Sequence, residues 1–440
     1  MSQRKIIIIG LGSAGFAAAL AAKKTDPKAA LTIIEKRGFD MFSPCGLPFA
    51  IEGRLSFDSL LHRFPAEDMG ITKLLNHEVT SIDTKSKTVS VVEKSGEAKI
   101  LPFDSLVIAT GAAPLMPFEK INGVFTVHDI DTAKAVSEFA VNARNAVVVG
   151  AGPIGLELAW ALYKRGLSVL VVELLPSVLP KALDPDMAKQ VESMLGRHMK
   201  IITGKPLDWI GGTDSVESVR IAGTEYPADM VIVASGVRAG KELAGNAGIE
   251  VGRWGIRTNV RMETNVKDVF AAGDCTETVS PISHMPWVSQ LSNTAFSQGT
   301  AAGTNAAGGY DTFDGSVSTF VTVVGGMEVA ATGFNTNFAE SYGFNTVSGK
   351  AKGRSKPDWF PGSEELTVKL IADAKTTRLI GAQAVGSGAA ARVNVAALAI
   401  KNRLSLHELA HAELAYCPAV AESHDALTRA AEFALRRIKD

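Results

Sequence analysis

The stretch Lys5-Ile6-Ile7-Ile8-Ile9-Gly10-Leu11-Gly12-Ser13-Ala14-Gly15 carries the strongest structural signal near the start of the chain. Its four isoleucines predict a buried parallel strand, and the small residues from 16 to 24 predict a helix. Glycines at this spacing make a tight turn, admit a pyrophosphate and let the helix pack closely on the strand. The helix N-terminus adds free N–H groups and a favourable dipole for phosphate. The stretch therefore predicts a dinucleotide site.

The residues after this helix complete a βαβ unit. Leu31-Thr32-Ile33-Ile34-Glu35 predicts the second strand, and Glu35 lies where a carboxylate accepts hydrogen bonds from both ribose hydroxyls. A tight turn that binds no ligand is the alternative interpretation. The cofactor contacts predicted in this unit are Gly10, Gly12, Ser13, Ala14, Gly15, Glu35 and Lys36.

A second copy of the pattern occurs further along the chain. Gly150-Ala151-Gly152-Pro153-Ile154-Gly155 follows an apolar strand, and the partner strand Ser168 to Val172 ends at Glu173. Two such units imply two bound dinucleotides. Leu174-Leu175-Pro176 places no Arg or Lys next to Glu173, which would itself repel a 2′-phosphate. NADH is therefore expected at the second site in preference to NADPH.

The bulk properties restrict the class of protein. The 440 residues exceed one hydrophobic core, so two or three domains are expected. The net charge of −1 gives no electrostatic case for nucleic acid or an anionic membrane. No apolar run has the length of a membrane span and the first residues lack a signal-peptide pattern, so a cytoplasmic location is expected. The cysteines do not make a disulfide framework, and no His/Cys spacing suggests a metal site.

Residues 78–92 and 98–108 predict strands, and the second of them stops at Thr110-Gly111, which suits the end of one domain and a crossing into another. Apolar strands are also predicted at 230–236 and 266–272. At the end of the last of these strands, the Asp274 carboxylate can accept a hydrogen bond from a polyol chain. Cys275, which follows it, is expected to be a packed small side chain. The cofactor contacts predicted at the strand ends are Thr110, Gly111, Gly236, Gly273 and Asp274.

The chain changes character from about residue 316. Short strand-like runs alternate with turns, and helices follow them. The strands are predicted at residues 317–324, 328–332, 366–373 and 379–385, and the helices at 393–402, 405–412 and 419–437. This composition predicts a third, α+β domain.

Cys45 lies in the stiff segment Phe42-Ser43-Pro44-Cys45-Gly46-Leu47-Pro48 and is the only cysteine in the first half of the chain. Two prolines and a glycine limit the backbone conformations here, so the thiol is held rather than left on a flexible loop. A frame of this kind suits a cysteine that meets a planar cofactor. A buried structural cysteine is the alternative interpretation.

Over nearly its whole length the chain resembles the flavin-dependent pyridine nucleotide–disulfide oxidoreductases. The similarity is narrower to the branch with a single active cysteine, which includes coenzyme A-disulfide reductases, NADH-dependent persulfide reductases, NADH oxidases and peroxidases. The motifs that carry it are Gly10–Gly15 with Glu35, Ser43–Pro48, Thr110-Gly111, Gly150–Gly155 with Glu173, Gly273-Asp274 and Leu414-Ala415-Tyr416-Cys417-Pro418.

The resemblance implies an α/β fold with two Rossmann-like dinucleotide-binding domains and a C-terminal α+β dimerisation domain. Residues 1–118 and 242–314 would form a discontinuous FAD-binding domain, residues 119–241 the NADH-binding domain, and residues 315–440 the dimerisation domain.

The resemblance also implies the cofactors and the assembly. FAD would bind the first glycine loop, with Glu35 on its ribose and Asp274 on its ribityl chain, and NADH would bind the second loop. The chain would form a homodimer in which Tyr416 of one subunit approaches Cys45 of the other.

The choice of sulfur chemistry depends on what surrounds Cys45 in the family pattern. With no second cysteine nearby in the sequence, Cys45 would cycle through a mixed disulfide, a persulfide or a sulfenic acid. Oxidase and peroxidase members usually carry a His in the first glycine loop, which this chain lacks, so oxygen or peroxide reduction is expected to be secondary. Coenzyme A-handling members carry basic residues late in the first helix, where Lys23 and Lys24 can grip a nucleotide phosphate; a solvated pair that complements the helix dipole is the alternative. Pro44 and Phe49 replace the Asn and Tyr common in coenzyme A reductases, which points to a different substrate fit.

Cys417 stands where the glutathione-reductase branch has its catalytic His, in the run Cys417-Pro418-Ala419-Val420-Ala421-Glu422. In a dimer like that of the family, Cys417 would lie close to Cys45 of the other subunit, and the two thiols would cooperate across the interface. A small residue in place of Ala is the alternative interpretation.

These features predict a reductase that passes a hydride from NADH through FAD to a disulfide or persulfide at Cys45, with coenzyme A disulfide or persulfide as the expected substrate. Catalytic roles are predicted for Cys45, Tyr416 and Cys417, and phosphate contacts for Lys23 and Lys24. The alternatives are an NADH oxidase or peroxidase that uses a Cys45 sulfenic acid, an electron-transfer flavoprotein reductase for a protein or small-molecule acceptor, and a redox-sensing binding module.

Overall fold

The computed structural model describes residues 3–438. The outermost residues of the predicted first and third domains, Met1, Ser2, Lys439 and Asp440, lie outside the described residues. Strands β1 to β28 span, in chain order, Lys5–Ile9, Ala30–Glu35, Met41–Phe42, Leu61–His62, Ile71–Leu75, His77–Asp83, Thr88–Glu93, Ala98–Pro102, Ser105–Ile108, Ala112–Pro114, Val124–Phe125, Asn145–Val149, Ser168–Val172, Lys200–Ile202, Leu207–Gly211, Ser218–Ile221, Thr224–Pro227, Met230–Val233, Val237–Ala239, Ile256–Arg257, Val269–Ala271, Thr276–Val279, Pro286–Trp287, Phe320–Val324, Met327–Gly333, Thr346–Arg354, Glu365–Asp373 and Leu379–Gly386. Helices α1 to α11 span Ser13–Thr25, Leu47–Glu52, Ile130–Phe139, Pro153–Lys164, Pro185–Leu195, Glu242–Asn246, Ser292–Ala306, Thr336–Ser341, Ala389–Lys401, Leu406–Ala410 and Ala426–Leu435.

The chain forms two compact units. Unit 1 contains the residues up to 45 together with 56–113 and 237–316, and unit 2 contains residues 46–55, 114–236 and 317 onward. Each unit holds one parallel sheet of five strands, and unit 2 also holds an antiparallel sheet of five strands. The predicted α/β fold is confirmed, and the finer division into three domains stays a prediction.

The core of unit 1 is a parallel sheet in the order β21-β9-β1-β2-β5. The isoleucines of β1 alternate between its faces, because successive side chains of a strand point in opposite directions. Ile6 and Ile8 pack with the alanines of α1, whereas Ile7 and Ile9 pack with Val89 and its neighbours on the other face. Both faces are therefore covered, which explains four consecutive isoleucines with no polar interruption.

Helices α1 and α7 pack backbone to backbone. A Cβ on Gly299 would lie 2.2 Å from the Ala14 oxygen, and a Cβ on Gly303 would lie 2.1 Å from the Ala18 oxygen. These distances exclude any side chain, so only glycine permits the approach. The contact joins the first glycine-loop helix to a distant part of the sequence.

The strands predicted at residues 78–92 and 98–108 are each two strands. A turn capped by the Asp83 carboxylate separates β6 from β7, and Asp104, whose N–H donates to the Lys5 oxygen at 2.8 Å, separates β8 from β9. Strand β9 joins the parallel sheet, whereas β6, β7 and β8 form an antiparallel sheet of their own. Apolar runs do not reveal where a chain changes its pairing partner, which is why the prediction was wrong here.

Unit 2 contains the second parallel sheet, in the order β11-β18-β12-β13-β14, and an antiparallel sheet in the order β24-β25-β28-β27-β26. Sequence reasoning missed β26, because its glycines and lysines obscure the alternation of buried residues. Gly349 is required in this strand, since a Cβ there would lie 2.0 Å from the Ala430 oxygen in α11.

The last helix begins later than predicted. Helix α11 starts at Ala426 rather than residue 419, because the Asp425 carboxylate caps its N-terminus by accepting a hydrogen bond from the Leu427 N–H at 2.8 Å. Within residues 3–438, no helix has both the length and the hydrophobicity needed to cross a membrane.

Candidate functional site

The first glycine loop has close backbone packing on one side and open space on the other. Gly10 has a φ of +98°, and a Cβ there would lie 2.4 Å from the Ala109 oxygen. A Cβ on Gly15 would lie 2.0 Å from the Gly10 oxygen, so α1 approaches β1 this closely only with glycine. A Cβ on Gly12 meets nothing within 4 Å, and no side chain caps α1 there. The open space in front of an uncapped helix N-terminus fits a pyrophosphate.

The second glycine loop repeats these distances. A Cβ on Gly150 would lie 2.4 Å from a carbonyl oxygen at the end of the neighbouring strand, and a Cβ on Gly155 would lie 2.0 Å from the Gly150 oxygen. Gly152 again has nothing within 4 Å and carries no side-chain cap for α4. Pro153 and Ile154, the first residues of α4, are exposed. Each unit therefore offers the same cradle to a dinucleotide.

Glu35 is buried at the end of β2 and is held by Arg37. Its carboxylate accepts hydrogen bonds from the Leu11 N–H at 2.7 Å and from the Arg37 side chain at 2.8 and 2.9 Å. The Arg37 guanidinium also donates to the Leu11 oxygen at 3.1 Å and lies over the rings of Phe39 and Phe42. Burial opposes ionisation of Glu35 most strongly, but the hydrogen bonds and the charge of Arg37 outweigh it and hold the pKa of the carboxyl below its ordinary value. Glu35 is therefore an ionised acceptor of fixed orientation.

Lys36, the predicted neighbour of this acid, is exposed. Sequence reasoning missed Arg37, although an arginine two residues after a strand-end acid can fold back on its carboxylate as a fork.

Glu173 occupies the equivalent place in the second unit without an arginine. Its carboxylate accepts hydrogen bonds from the Ala151 N–H at 2.7 Å and from the Leu175 N–H at 2.8 Å. Leu174 and Leu175 are exposed beside it. The Lys205 N–H donates to the Glu173 carbonyl oxygen at 3.2 Å, so the backbones of these two residues meet just beyond the paired ends of β13 and β14.

Asp274 follows β21 in unit 1. Gly273 precedes it with a φ of +84°, and a Cβ there would lie 2.8 Å from the Cβ of Ala14. The buried Gln298 of α7, which sequence reasoning missed, accepts hydrogen bonds from the Gly273 N–H at 2.8 Å and from the Thr276 hydroxyl at 3.1 Å. No described residue donates to the Asp274 carboxylate, and burial raises its pKa to about 6. A partly buried acid without a protein donor suits a hydroxyl group of a bound cofactor.

The remaining predicted contacts lie at strand ends and loops. The Thr110 hydroxyl donates to a backbone oxygen at 2.8 Å. Gly111 and Gly236 have φ values of +71° and +113°, and a Cβ on either would meet nothing within 4 Å. The hydroxyl of Ser13 lies 2.9 Å from that of Ser292 in α7. In unit 1, the predicted residues thus gather at the carboxyl ends of β1, β2, β9 and β21, where open α/β sheets bind ligands.

Cys45 is exposed in the 3-10 turn Pro44–Gly46, between β3 and α2. Two residues before it, the Ser43 hydroxyl lies 2.7 Å from Nε2 of His62, a neighbour that sequence reasoning missed. Cys275 is buried as expected, with its thiol donating to backbone oxygens at 3.3 and 3.5 Å, and burial raises its pKa. Of these two thiols, only that of Cys45 is accessible to a substrate.

The other predicted residues differ in exposure. Lys23 is buried, and its Nζ donates to two backbone oxygens of the turn between α1 and β2 at 2.8 and 3.4 Å. This geometry gives Lys23 a structural role and does not favour the predicted phosphate contact, whereas Lys24 is exposed. Tyr416 and Cys417 are exposed neighbours between α10 and α11 in unit 2. Among residues 3–438, no group of three His, Cys, Asp or Glu side chains is arranged to hold a metal ion.

Comparison with known proteins gives full-length matches. Residues 4–299 match the pyridine nucleotide-disulphide oxidoreductase family, and residues 319–427 match the dimerisation domain of that family. An NADH oxidase of Methanocaldococcus jannaschii is 36% identical over 99% of this chain and 100% of its own length. A CoA-dependent NAD(P)H sulfur oxidoreductase of Pyrococcus furiosus is 33% identical over 97% of this chain and 98% of its own length.

The solved structures give the same result. The NAD-dependent persulfide reductase from A. fulgidus superposes with a TM-score of 0.95 at 32% identity, covering 98% of this chain and 83% of that chain. The chain therefore belongs to the pyridine nucleotide-disulphide oxidoreductase family, whose members depend on FAD and NAD(P)H.

Proposed function

We propose that this protein is a flavoprotein reductase that transfers electrons from NADH to a disulfide or persulfide at Cys45, with coenzyme A disulfide or persulfide as the substrate. The observation that carries the proposal is the exposed Cys45 on a short turn, in the same unit as the first glycine loop. The second cysteine of that unit, Cys275, is buried and bonded to backbone oxygens, so it offers no partner for an intrachain dithiol. An accessible thiol can exchange with an external sulfur substrate.

FAD fits the site in unit 1. The open space at Gly12 would take the pyrophosphate, Glu35 the ribose hydroxyls, and Asp274 a hydroxyl of the ribityl chain, with Thr110 and Gly111 at the adjoining strand end. The carboxylate of Glu35 keeps acceptor capacity beyond its bonds to Arg37, because each ionised oxygen accepts more than one hydrogen bond. Bound FAD supplies the relay of electrons from the nicotinamide to sulfur.

NADH fits the site in unit 2. Gly152 would admit the pyrophosphate, Glu173 would accept from the adenosine ribose, and Gly236 lies at the end of β18, next to the glycine loop's strand. The exposed Leu174 and Leu175 offer no charge to a 2′-phosphate. NADH is therefore favoured over NADPH.

In this proposal the sulfur substrate binds between the two subunits of a homodimer. In the proposed assembly, Tyr416 of the partner subunit orients the sulfur substrate at Cys45 or donates a proton to it, and Cys417 of the partner subunit is a second thiol for the exchange. Lys24 is the remaining candidate of the lysine pair for a nucleotide phosphate. A reducing cytoplasm agrees with accessible thiols.

An anaerobic NADH titration of the purified protein, followed by intact-mass and peptide mass spectrometry, tests the proposal. We expect an adduct on Cys45, formed with coenzyme A disulfide or persulfide, that one equivalent of NADH releases. Cys45→Ser should lose both the adduct and the turnover of disulfide, whereas Cys417→Ser shows how much the second thiol contributes. If NADH reduces the flavin and no mass change ever occurs at Cys45, or if Cys45→Ser keeps its activity toward the natural acceptor, an electron-transfer reductase is the better assignment.

An NADH oxidase is the second candidate, because the relative from M. jannaschii with that name is 36% identical. It would consume oxygen at an NADH-dependent rate without added disulfide, with Cys45 passing through a sulfenic acid. Oxygen-electrode measurements, with and without a sulfenic acid trap, separate it from the sulfur reductase.

A further inference from the structure

The hairpin of β3 and β4 places a histidine beside the Cys45 turn. Met41 pairs with His62 across this hairpin, and the Ser43 N–H donates to the Leu60 oxygen at 2.9 Å. The Ser43 Oγ lies 2.7 Å from His62 Nε2, a hydrogen bond in which either atom can donate. The Ser43–His62 pair is thus anchored by the backbone on both strands.

The Ser43–His62 pair lies close to Cys45 along the backbone. Only Pro44 separates Ser43 from Cys45, so their Cα atoms are at most about 7 Å apart. Pro44–Gly46 is a 3-10 turn, which shortens that path further. Cys45 and His62 are both exposed, so a substrate sulfur can reach the thiol and solvent protons can reach the imidazole.

The described ion pairs near His62 join other side chains. Asp40 and Lys73 pair with each other at 2.8 Å, and none of the salt bridges in residues 3–438 includes His62. The charged side chains on the elements that adjoin this hairpin include Arg37, Asp40, Asp58, Arg63, Glu67 and Lys73. Imidazole is the side chain that takes up and gives up protons near neutral pH.

We infer that Ser43 and His62 form a proton relay for sulfur exchange at Cys45, in which Ser43 reaches the substrate and His62 is the positioning residue behind it. This inference rests on the proposed function, because it assumes that Cys45 exchanges with a disulfide.

The step that the relay serves is a thiol–disulfide exchange. The Cys45 thiolate attacks one substrate sulfur, so an S–S bond forms to Cys45 while the S–S bond of the substrate breaks. The departing sulfur keeps the electron pair of the broken bond and takes a proton from the Ser43 hydroxyl, which regains one from His62. His62 is reprotonated from solvent, and the exchange involves no net oxidation. A basic alkyl thiolate is a slow leaving group, whereas a weakly basic aryl thiolate is a fast one. Protonation of the departing sulfur is therefore expected to matter only for the alkyl disulfide.

The test compares two disulfides whose leaving groups differ. The purified holoprotein, with Cys45 reduced, is mixed with an alkyl disulfide (glutathione disulfide) or with an aryl disulfide (dithiobis-nitrobenzoate), quenched in acid and digested. The rate of adduct formation on the Cys45 peptide is then read by mass spectrometry, which requires no turnover. The variants are His62→Gln, which can still hydrogen-bond to Ser43 but cannot relay a proton, and Ser43→Ala. His407→Gln, at an exposed histidine of α10, is the matched control.

We expect His62→Gln and Ser43→Ala to lower the rate of adduct formation with the alkyl disulfide by about tenfold to a hundredfold. The rate with the aryl disulfide should stay within about twofold of wild type. His407→Gln should match wild type with both. If both disulfides react more slowly by the same factor, the Ser43–His62 pair only supports the loop structurally. If neither reaction rate changes, the pair has no role in the exchange. Either result overturns the inference and leaves the proposed function standing. If wild-type Cys45 reacts with neither disulfide, the proposed function fails and the inference fails with it.

Discussion

Replacing Arg37 with leucine tests how the acid at the end of β2 is held. The substitution removes side-chain donors at 2.8 and 2.9 Å from the Glu35 carboxylate. It keeps the bond from the backbone N–H of position 37 at 3.0 Å and that from the Leu11 N–H at 2.7 Å. The variant makes unit 1 resemble unit 2, in which Leu175 follows Glu173 at the same spacing.

We expect unit 1 to lose about 3 kcal/mol of its free energy of unfolding. Removing one partner of a buried ion pair costs about 3 to 5 kcal/mol. The lower end applies here, because Glu35 keeps two backbone donors and the Arg37 side chain, at 23% exposed against 5% for Glu35, is reached by water. At about 2 to 4 °C per kcal/mol for domains of about 150 to 250 residues, the melting temperature of the apoprotein should fall by about 6 to 12 °C.

The pH dependence of this loss has a definite sign. Burial raises the pKa of Glu35, and the bonds and charge of Arg37 more than reverse the effect, so the folded pKa lies below the ordinary value of 4.5. A carboxyl with a lowered folded pKa contributes stability above pH 4.5, and this stability is lost as the pH falls through the folded pKa. The gap between wild type and Arg37→Leu should therefore persist at pH 7 and shrink below pH 4.5.

Thermal unfolding of the two apoproteins at pH 7 and in more acidic buffer measures both effects, with Arg63→Leu, at an exposed arginine of unit 1, as the control. Equal melting temperatures at pH 7 would refute the assignment of Arg37 as the holder of Glu35. A gap that stays constant into acid would refute the electrostatic origin of the effect.

Three further predictions concern the two dinucleotide sites. Gly12→Ala should keep the apoprotein melting temperature within about 1 °C and weaken FAD binding at least about tenfold, because its Cβ meets no protein atom within 4 Å but fills the space for a pyrophosphate. Gly15→Ala should instead impair folding, since its Cβ would lie 2.0 Å from the Gly10 oxygen. Flavin titration and thermal unfolding distinguish the two variants. Asp274→Asn should raise the apoprotein melting temperature at pH 8 but hardly at pH 4. Burial raises the pKa of Asp274 from 3.8 to about 6, so the cost of ionising the buried acid accumulates between these two values and is complete above pH 6. A variant that is no more stable at pH 8 would contradict this. Leu174→Arg should shift the ratio of NADPH to NADH affinity by about tenfold toward NADPH in fluorescence titrations, since a cation beside Glu173 pairs with a 2′-phosphate, and an unchanged ratio would show that this position does not select the nucleotide.

The two dinucleotide units are predictable from the sequence because their signals are local. The strand before Gly10, the glycine spacing and the strand that ends at Glu35 lie within one short stretch, and the structure has β1, α1 and β2 there. The same holds in the second unit, where β13 has the predicted bounds Ser168–Val172. For these units, the strand order and the pairing of strands are visible only in the structure.

The features that sequence reasoning missed depend on contacts between distant segments. Gln298 fixes the Gly273 turn, and His62 lies beside Ser43. No periodicity or spacing marks such pairs, because each partner has an ordinary local environment. The phosphate contact predicted for Lys23 is disfavoured for a related reason. Its Nζ donates to backbone oxygens of a turn whose shape the sequence does not reveal.

The glycines that bring α7 onto α1 have a consequence for the order in which the protein acquires its shape on the ribosome. Helix α7 is synthesised after the whole of residues 114–236. At a translation rate of about 5 to 20 residues per second, the packing partner of α1 emerges on the order of tens of seconds after α1 itself. Strand β21, at the edge of the same sheet, is missing for almost as long. The parallel sheet of unit 2, in contrast, is encoded in one continuous stretch from Val124 to Val233. The nascent chain therefore completes its second glycine-loop sheet before its first.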